Sequence, residues 1–156
     1  MASKIFINLA IKDLKNSIDF FTQLGFSFNP QFTDQNATCL ILGENIFAML
    51  VTEQRFKDFT KKEICNAHKN TEVLIAIDVE NREKVDKLIQ KALNAGGTAY
   101  MEPQDYGWMY SHSFADLDGH QWEIMYMDEN AIPQSRGEGA GRRSTRPNQD
   151  ACLSDL

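Results

Sequence analysis

The chain has 156 residues, of which 42% are hydrophobic, and a formal net charge of −6 at pH 7. These values predict one domain, or two small modules that share a core, and the negative charge argues against nucleic acid and anionic membranes as partners. The sequence contains no apolar run long enough to cross a membrane. Its N-terminus alternates like a strand, so we expect no signal peptide.

The three cysteines, Cys39, Cys65 and Cys152, are far apart in the chain, and no CxxC motif is present. An odd number of scattered cysteines favours free thiols in a reducing compartment over a disulfide framework or a metal cluster. We therefore expect a cytoplasmic protein.

The first predicted strand is KIFINLAIKD, whose alternation puts the isoleucines and Leu9 on one face and Phe6 and Asn8 on the other. Asp13 is placed to cap a helix in LKNSIDFFTQL, and Gly25 is placed to end it. The apolar stripe of this helix is expected to pack on the isoleucine face of the strand.

Three further strands are predicted in the first half of the chain. They are FSFNPQF, which is broken at Pro30, then ATCLILG and NIFAMLVTE, which are joined by a turn at GEN. Thr60 and Glu63 have the spacing of a capping box, which predicts a short helix after Thr60.

The same pattern then repeats in the second half. TEVLIAIDV alternates, Asn81 is placed to cap a helix in REKVDKLIQKALNA, and the pair Gly96-Gly97 ends it. The strands WMYSHSFADL and HQWEIMYMD follow, joined by a hairpin turn at Asp118-Gly119. Glu123 is an acid inside the last strand, where acids are rare without a structural or functional reason.

The repeat of strand, cap, helix and glycine indicates an internally duplicated βαβββ unit. We expect an α+β fold in which two tandem βαβββ modules, residues 1–66 and 67–130, form a curved mixed sheet with a central cup and the helices outside. Residues 131–156 are rich in Gly, Arg and Ser and are expected to form a disordered tail or a segment foreign to the fold.

The paired units, with KDLKNSIDFFTQLGF near the start and FADLDGHQWEIMY near the end, resemble the vicinal oxygen chelate superfamily. That superfamily includes glyoxalase I, bleomycin resistance proteins, fosfomycin-modifying transferases and extradiol dioxygenases. The resemblance covers roughly residues 4–128 and implies the fold more than the reaction, because this scaffold hosts several chemistries and some proteins that only bind. The family turn usually reads Asp-Pro-Asp-Gly, and here Leu117 stands where the proline would be.

The resemblance also implies where a metal would be held, on the first and last strand of each half. Carried over to this chain, the ligand positions are Phe6, Leu74, Glu123 and one near Ala48 or Met49. A divalent metal needs three or four converging N or O donors, so these side chains imply that the family's metal site is lost and that Glu123 is the single ligand retained. We expect no cofactor. The alternative is one divalent metal ion in an atypical site.

The cup is expected to have an apolar, aromatic lining with a few polar groups, which is the usual composition of a small-molecule site. The candidate ligand-binding residues are Phe6, Asn8, Met49, Leu74, Trp108, Tyr110, His112, Glu123 and Met125. Aromatic rings beside an acid suit a planar or cationic ligand. The alternative is a filled core without a ligand, in which a lone carboxylate would be strongly destabilising.

The histidines and one loop leave further alternatives open. His112 either points into the cup or lies on an exposed face, His120 is expected to bond to nearby backbone as a turn residue, and His68 is expected to be solvated. The loop QDYGWMYS is either a mobile lid, with Tyr106 and Trp108 facing a ligand, or a segment packed over the rim.

The leading hypothesis for function is a metal-free protein that binds a small molecule, as the bleomycin resistance type does when it sequesters a compound. The alternatives are a divalent-metal-dependent glyoxalase-like lyase or dioxygenase with an atypical site, and a dimeric module that binds no ligand. Whether the protein is an enzyme stays open. Because homodimers are common in the family, we expect one, and the cup is built either within one chain or across two.

Overall fold

The computed structural model describes residues 1–134, so most of the expected tail, with Cys152, lies outside the described residues. Within them the chain has the predicted α+β fold of two tandem βαβββ modules. The first module comprises β1 (Ile5–Ile11), α1 (Leu14–Leu24), β2 (Ser27–Asn29), β3 (Ala37–Gly43) and β4 (Ile46–Thr52). A short helix, α2 (Glu53–Phe56), follows it. The second module comprises β5 (Leu74–Asp78), α3 (Arg82–Asn94), β6 (Gln104–Asp105), β7 (Met109–Ala115) and β8 (Gln121–Met127).

Each module forms its own four-stranded mixed sheet. The strand orders are β1-β4-β3-β2 and β5-β8-β7-β6, with one parallel pair in each sheet, β1 with β4 and β5 with β8. Between residues 1 and 134 no strand of one sheet pairs with a strand of the other. β1 and β5 are therefore edge strands, each with one free edge.

The predicted helix caps are present. The side chain of Asp13 accepts a hydrogen bond from the main-chain N–H of Asn16, and Gly25 ends α1 in the left-handed conformation, with φ of 98°. Asn81 accepts in the same way from the N–H of Lys84 at the start of α3. The two modules thus use the same local chemistry to turn from the first strand into the helix.

The predicted helix after Thr60 was wrong. The Thr60 hydroxyl accepts a hydrogen bond from the N–H of Lys62, as a capping residue would, but residues 61–73 form turns and irregular backbone. A capping bond satisfies one N–H and supplies no apolar stripe, and most helical stability comes from packing such a stripe. The short helix α2 lies earlier, directly after β4.

The two helices lie on the outer faces of their sheets, opposite the faces described below as open. α1 contacts β3 and β4, α3 contacts β7 and β8, and the two helices also contact each other. The ring of Phe21 in α1 meets Trp122 in β8 edge to face, with centroids 5.4 Å apart, and Phe20 lies against Phe114 in β7. The helix-covered faces therefore share one aromatic core.

Cys39 and Cys65 are free thiols. Within residues 1–134 no helix has both the length and the apolar character needed to cross a membrane.

Candidate functional site

The face of the first sheet opposite α1, called here the first open face, carries three of the predicted site residues. Strand alternation puts Phe6, Asn8 and Met49 on it, and Asn8 lies beside Met49 in register. The rings of Phe6 and Phe47 stack with centroids 5.0 Å apart. Ala48 is fully buried in the core, so Met49 and not Ala48 is the β4 residue on this face.

The corresponding face of the second sheet, the second open face, carries Leu74, Glu123 and Met125. Glu123 in β8 lies between Ala76 of β5 and Ser113 of β7 in register. Trp122 and Ile124, its neighbours along the strand, point the other way and are buried in the core. The acid is therefore on the open face of a strand whose opposite face packs into the core through Trp122 and Ile124.

Glu123 has a second polar neighbour that the sequence does not indicate. The hydroxyl of Tyr100 is buried and has no hydrogen-bond partner among the described residues. Burial raises the pKa of Tyr100, the neighbouring Ser113 hydroxyl lowers it, and the negative charge of Glu123 raises it further. Tyr100, Ser113 and Glu123 thus form a polar group beside Leu74, Ala76 and Met125, on a face that also carries Gln121, Ser111 and Asp78.

Tyr110 and His112 lie on the opposite face from Glu123. In register they pair with Tyr126 and Ile124, and strand alternation turns both toward α3. The Tyr110 hydroxyl donates a 2.7 Å hydrogen bond to Asp86 of α3, which together with burial raises the pKa of Tyr110. The structure therefore does not bring these two predicted residues to the open face.

The loop before β7 is fastened to α3. Arg82 donates two hydrogen bonds to the carboxylate of Asp105, at 2.6 and 3.0 Å, and a third to the main-chain oxygen of Gly107 at 2.9 Å. Its guanidinium also lies 5.2 Å from the ring centroid of Tyr110. Hydrogen bonds from Arg82 and from the Gly107 N–H lower the pKa of Asp105 to about 2. Of the two alternatives for this loop, these contacts favour the packed segment.

The two aromatic residues of this loop differ in exposure. Tyr106 is 58% exposed, and its N–H donates to the main-chain oxygen of Met109. Trp108 is half-buried directly before β7, where its main-chain oxygen accepts from the N–H of Asp128. Neither side chain makes a polar contact within residues 1–134 that would place it against Glu123.

The β7–β8 turn contains a buried network of hydrogen bonds. Asp116 is buried, and its carboxylate accepts from the main-chain N–H groups of Asp118 and His120 and from the indole N–H of Trp122. Burial raises the pKa of Asp116. His120 is also buried, and its ring bonds to the main-chain oxygen of Ala10. His68, in contrast, is exposed, as its polar loop predicts.

The residues present do not fit the metal that the resemblance implies. The four corresponding positions hold one carboxylate, two hydrocarbon side chains, Phe6 and Leu74, and Met49. The thioether sulfur of Met49 is a soft ligand, and it leaves the set short of the three or four N or O donors that a divalent metal needs. No group of three or more His, Cys, Asp or Glu side chains in residues 1–134 is arranged to hold a metal ion. No chemical step is therefore assigned to a metal at this position.

The two open faces do not close over each other within the chain. Phe6 of β1 and Leu74 of β5 lie on the two open faces and are 46% and 52% exposed. The shared core lies on the helix-covered sides of the sheets. Each chain thus presents two separate open faces, one with Phe6 and Met49 and the other with Glu123.

Comparison with known proteins gives one family match. The model of the "Glyoxalase/Bleomycin resistance protein/Dioxygenase superfamily" matches residues 5–124. No curated protein is significantly similar to the chain.

Solved structures of this fold are numerous. A hypothetical protein from S. aureus is 28% identical with a TM-score of 0.70, and the match covers 81% of this chain and 94% of that one. A glyoxalase-related enzyme from Fulvimarina pelagi is 20% identical, with a TM-score of 0.69 and coverage of 81% and 88%. A fosfomycin resistance protein from Listeria monocytogenes is 18% identical, with a TM-score of 0.59 and coverage of 82% and 93%. At identities of 20% and 18%, the likeness to the last two proteins shows the fold alone.

Proposed function

Because the chain belongs to the glyoxalase, bleomycin resistance protein and dioxygenase superfamily, we propose that it binds a small planar or cationic molecule without a metal ion. The observation that carries the proposal is Glu123, a carboxylate beside Leu74, Ala76 and Met125 on the second open face. Among residues 1–134 no ion pair includes it. The protein would sequester its ligand and not transform it.

The ligand's cation would neutralise Glu123. A carboxylate among Leu74, Ala76 and Met125 is poorly solvated once the face is covered, and it then needs a charged or hydrogen-bonding partner. The Tyr100 and Ser113 hydroxyls beside it can hold the N–H or O–H groups of the same ligand. The aromatic side chains of the first open face would form the opposite wall of the site, and aromatic rings favour a planar cation.

The complete cup would be shared by two copies of the chain. The first open face of one protomer, with Phe6 and Met49, would cover the second open face of its partner, with Leu74 and Glu123. The free edges of β1 and β5 and the exposed apolar side chains on them need such a partner, because uncovered edges with apolar faces promote association. A twofold dimer would contain two equivalent cups.

A pair of probes tests the proposal. The planar cation 9-aminoacridine should bind and raise the melting temperature, and the neutral acridine should bind roughly tenfold more weakly at pH 7.5, the scale of one charged hydrogen bond. Glu123→Gln should remove the difference between the two probes. Glu129→Gln, an exposed acid after β8, should leave it unchanged.

Two results would overturn the proposal. One is equal affinity of the native protein for the two probes, including no binding of either. The other is one equivalent of a divalent metal in purified protein that is lost in Glu123→Gln, which would support the metal-dependent alternative.

A further inference from the structure

A cleft lies on the first open face, beside β4. No sequence pattern predicted it. The cleft is lined by Phe32, which precedes β3, by Met49 and Val51 of β4, and by Arg55 and Phe59 from the chain after β4. The space is about 320 Å³, at the lower end of the range for small-molecule pockets, which suits a ligand of one or two rings.

Two of the side chains that line the cleft are exposed aromatic rings. Phe32 is 55% exposed and Phe59 is 58% exposed. Phe59 also forms the wall of a neighbouring cleft with Phe56 and Asn8. Exposed aromatic rings that line the same cleft offer surfaces against which a flat molecule can stack.

Arg55 supplies a cation at this cleft. Its guanidinium lies 5.2 Å from the centroid of the Phe59 ring, which orients the planar group beside the aromatic wall. One of its five N–H donors bonds to Asp58, and no other acceptor for it is found among residues 1–134. A guanidinium with free donors matches a carboxylate, which it can bind through two parallel hydrogen bonds.

Two acids lie at the cleft with this arginine, and neither uses all of its hydrogen-bond donors. The contact with Asp58 is a single 3.0 Å bond between side chains that are 51% and 61% exposed, so the pair is weak and a ligand can compete with it. Asp34 also lines the cleft, but its Oδ1 accepts the N–H groups of Asn36 and Ala37 at 2.7 and 2.9 Å. That oxygen is therefore held in its own turn.

We propose that this cleft binds a planar aromatic carboxylate, with the rings between Phe32 and Phe59 and the carboxylate on Arg55. The amide of Asn8, which lines the same cleft, is a further donor for the ligand. The inference rests on the proposed function and deepens it, because Asn8 and Met49 belong both to the cleft and to the first wall of the cup. A natural ligand would then carry an acidic group on an aromatic system as well as the cation that Glu123 receives.

Calorimetric titration with 2-naphthoate and its neutral isostere 2-naphthamide tests the inference. The naphthoate should bind more tightly than the amide. Arg55→Gln should weaken the naphthoate roughly tenfold and leave the amide unchanged, as expected for the loss of a charged hydrogen bond. Phe59→Leu should weaken both probes. Lys87→Gln removes the same charge from an exposed ion pair on α3 and should change neither.

The inference is overturned if the naphthoate does not bind, if the two probes bind equally well, or if Arg55→Gln leaves the naphthoate affinity unchanged. Glu123→Gln separates this result from the proposed function. It should abolish the advantage of 9-aminoacridine over acridine without changing the naphthoate affinity. Failure of the acridine pair alone would therefore remove the cation site, and failure of the naphthoate alone would remove the Arg55 site.

Discussion

His120 and Ala10 join the two modules by a buried hydrogen bond. The His120 ring donates from Nε2 to the main-chain oxygen of Ala10 over 2.7 Å, although 110 positions separate the two residues in sequence. The same turn holds the start of α1 through Asp118, whose carboxylate accepts from the N–H of Lys12 at 2.8 Å. The end of β1 is thus fixed against the start of β8.

Replacing His120 should destabilise the whole fold. In His120→Ala the buried oxygen of Ala10 loses its donor and the ring leaves a cavity, so the free energy of unfolding should fall by about 3 kcal/mol. Urea denaturation measures this change. His68→Ala, in the exposed loop, should change the stability by less than about 0.5 kcal/mol. Similar losses in the two variants would show that the contact contributes little.

The glycine of this turn should be far less replaceable than another glycine with the same backbone conformation. Gly119 has φ of 89°, and a Cβ there would lie 2.7 Å from main-chain atoms of Ala67 and His68. Gly107 has φ of 81°, and a Cβ there would meet no atom within 4 Å. Gly107→Ala should cost about 1–2 kcal/mol, from the backbone conformation alone.

Gly119→Ala should cost about 2 kcal/mol more than Gly107→Ala, because two stretches of main chain must separate. Denaturation of both variants under the same conditions checks the difference. Equal losses would mean that the segment around Ala67 yields easily and does not support the turn.

The pair of Arg82 and Asp105 should give the loop before β7 an acid-sensitive contribution. The pKa of Asp105 is lowered from 3.8 to about 2, so the stabilisation that goes with its charge is present above pH 4 and is lost as the pH falls through 2. The melting temperature of Asp105→Asn should therefore lie below that of the native protein at pH 6, and the gap should close toward pH 2. Glu129→Gln serves as the control, and a gap that stays constant between pH 6 and 2 would contradict the assignment.

The sequence predicted the parts of this molecule that local patterns encode. The caps at Asp13 and Asn81 follow from side chains that accept from nearby main-chain N–H groups, and the turn before β8 follows from Gly119, whose φ is 89°. The duplication of these signals led to the module and to the family resemblance, which the family match confirms. The helix predicted after Thr60 does not form, because the capping residue is not followed by an apolar stripe that could pack against the sheet.

Strand register explains which of the predicted site residues lie on the open faces. Phe6 and Glu123 follow from alternation within their own strands, while Tyr110 and His112 required the pairing of β7 with β8. That pairing sets His112 opposite the core residue Ile124 and Ser113 opposite Glu123. Contacts between distant segments, such as Tyr100 beside Glu123 and Phe59 over β4, have no signal in sequence spacing, because they depend on how loops return over a sheet.

The edge of β5 gives the most direct test of the proposed shared cup. Leu74 lies on the second open face of this free-edged strand and is 52% exposed, whereas Met101, which is 54% exposed, belongs to neither β1 nor β5. In sedimentation velocity the native protein should behave as a dimer. Leu74→Glu should weaken the dimer roughly thirtyfold or more, since a carboxylate would have to be buried against an aromatic face beside Glu123. Met101→Glu should leave the dimer unchanged. A native protein that sediments as a monomer, or equal weakening of the dimer by both substitutions, would show that the two open faces do not meet in this way.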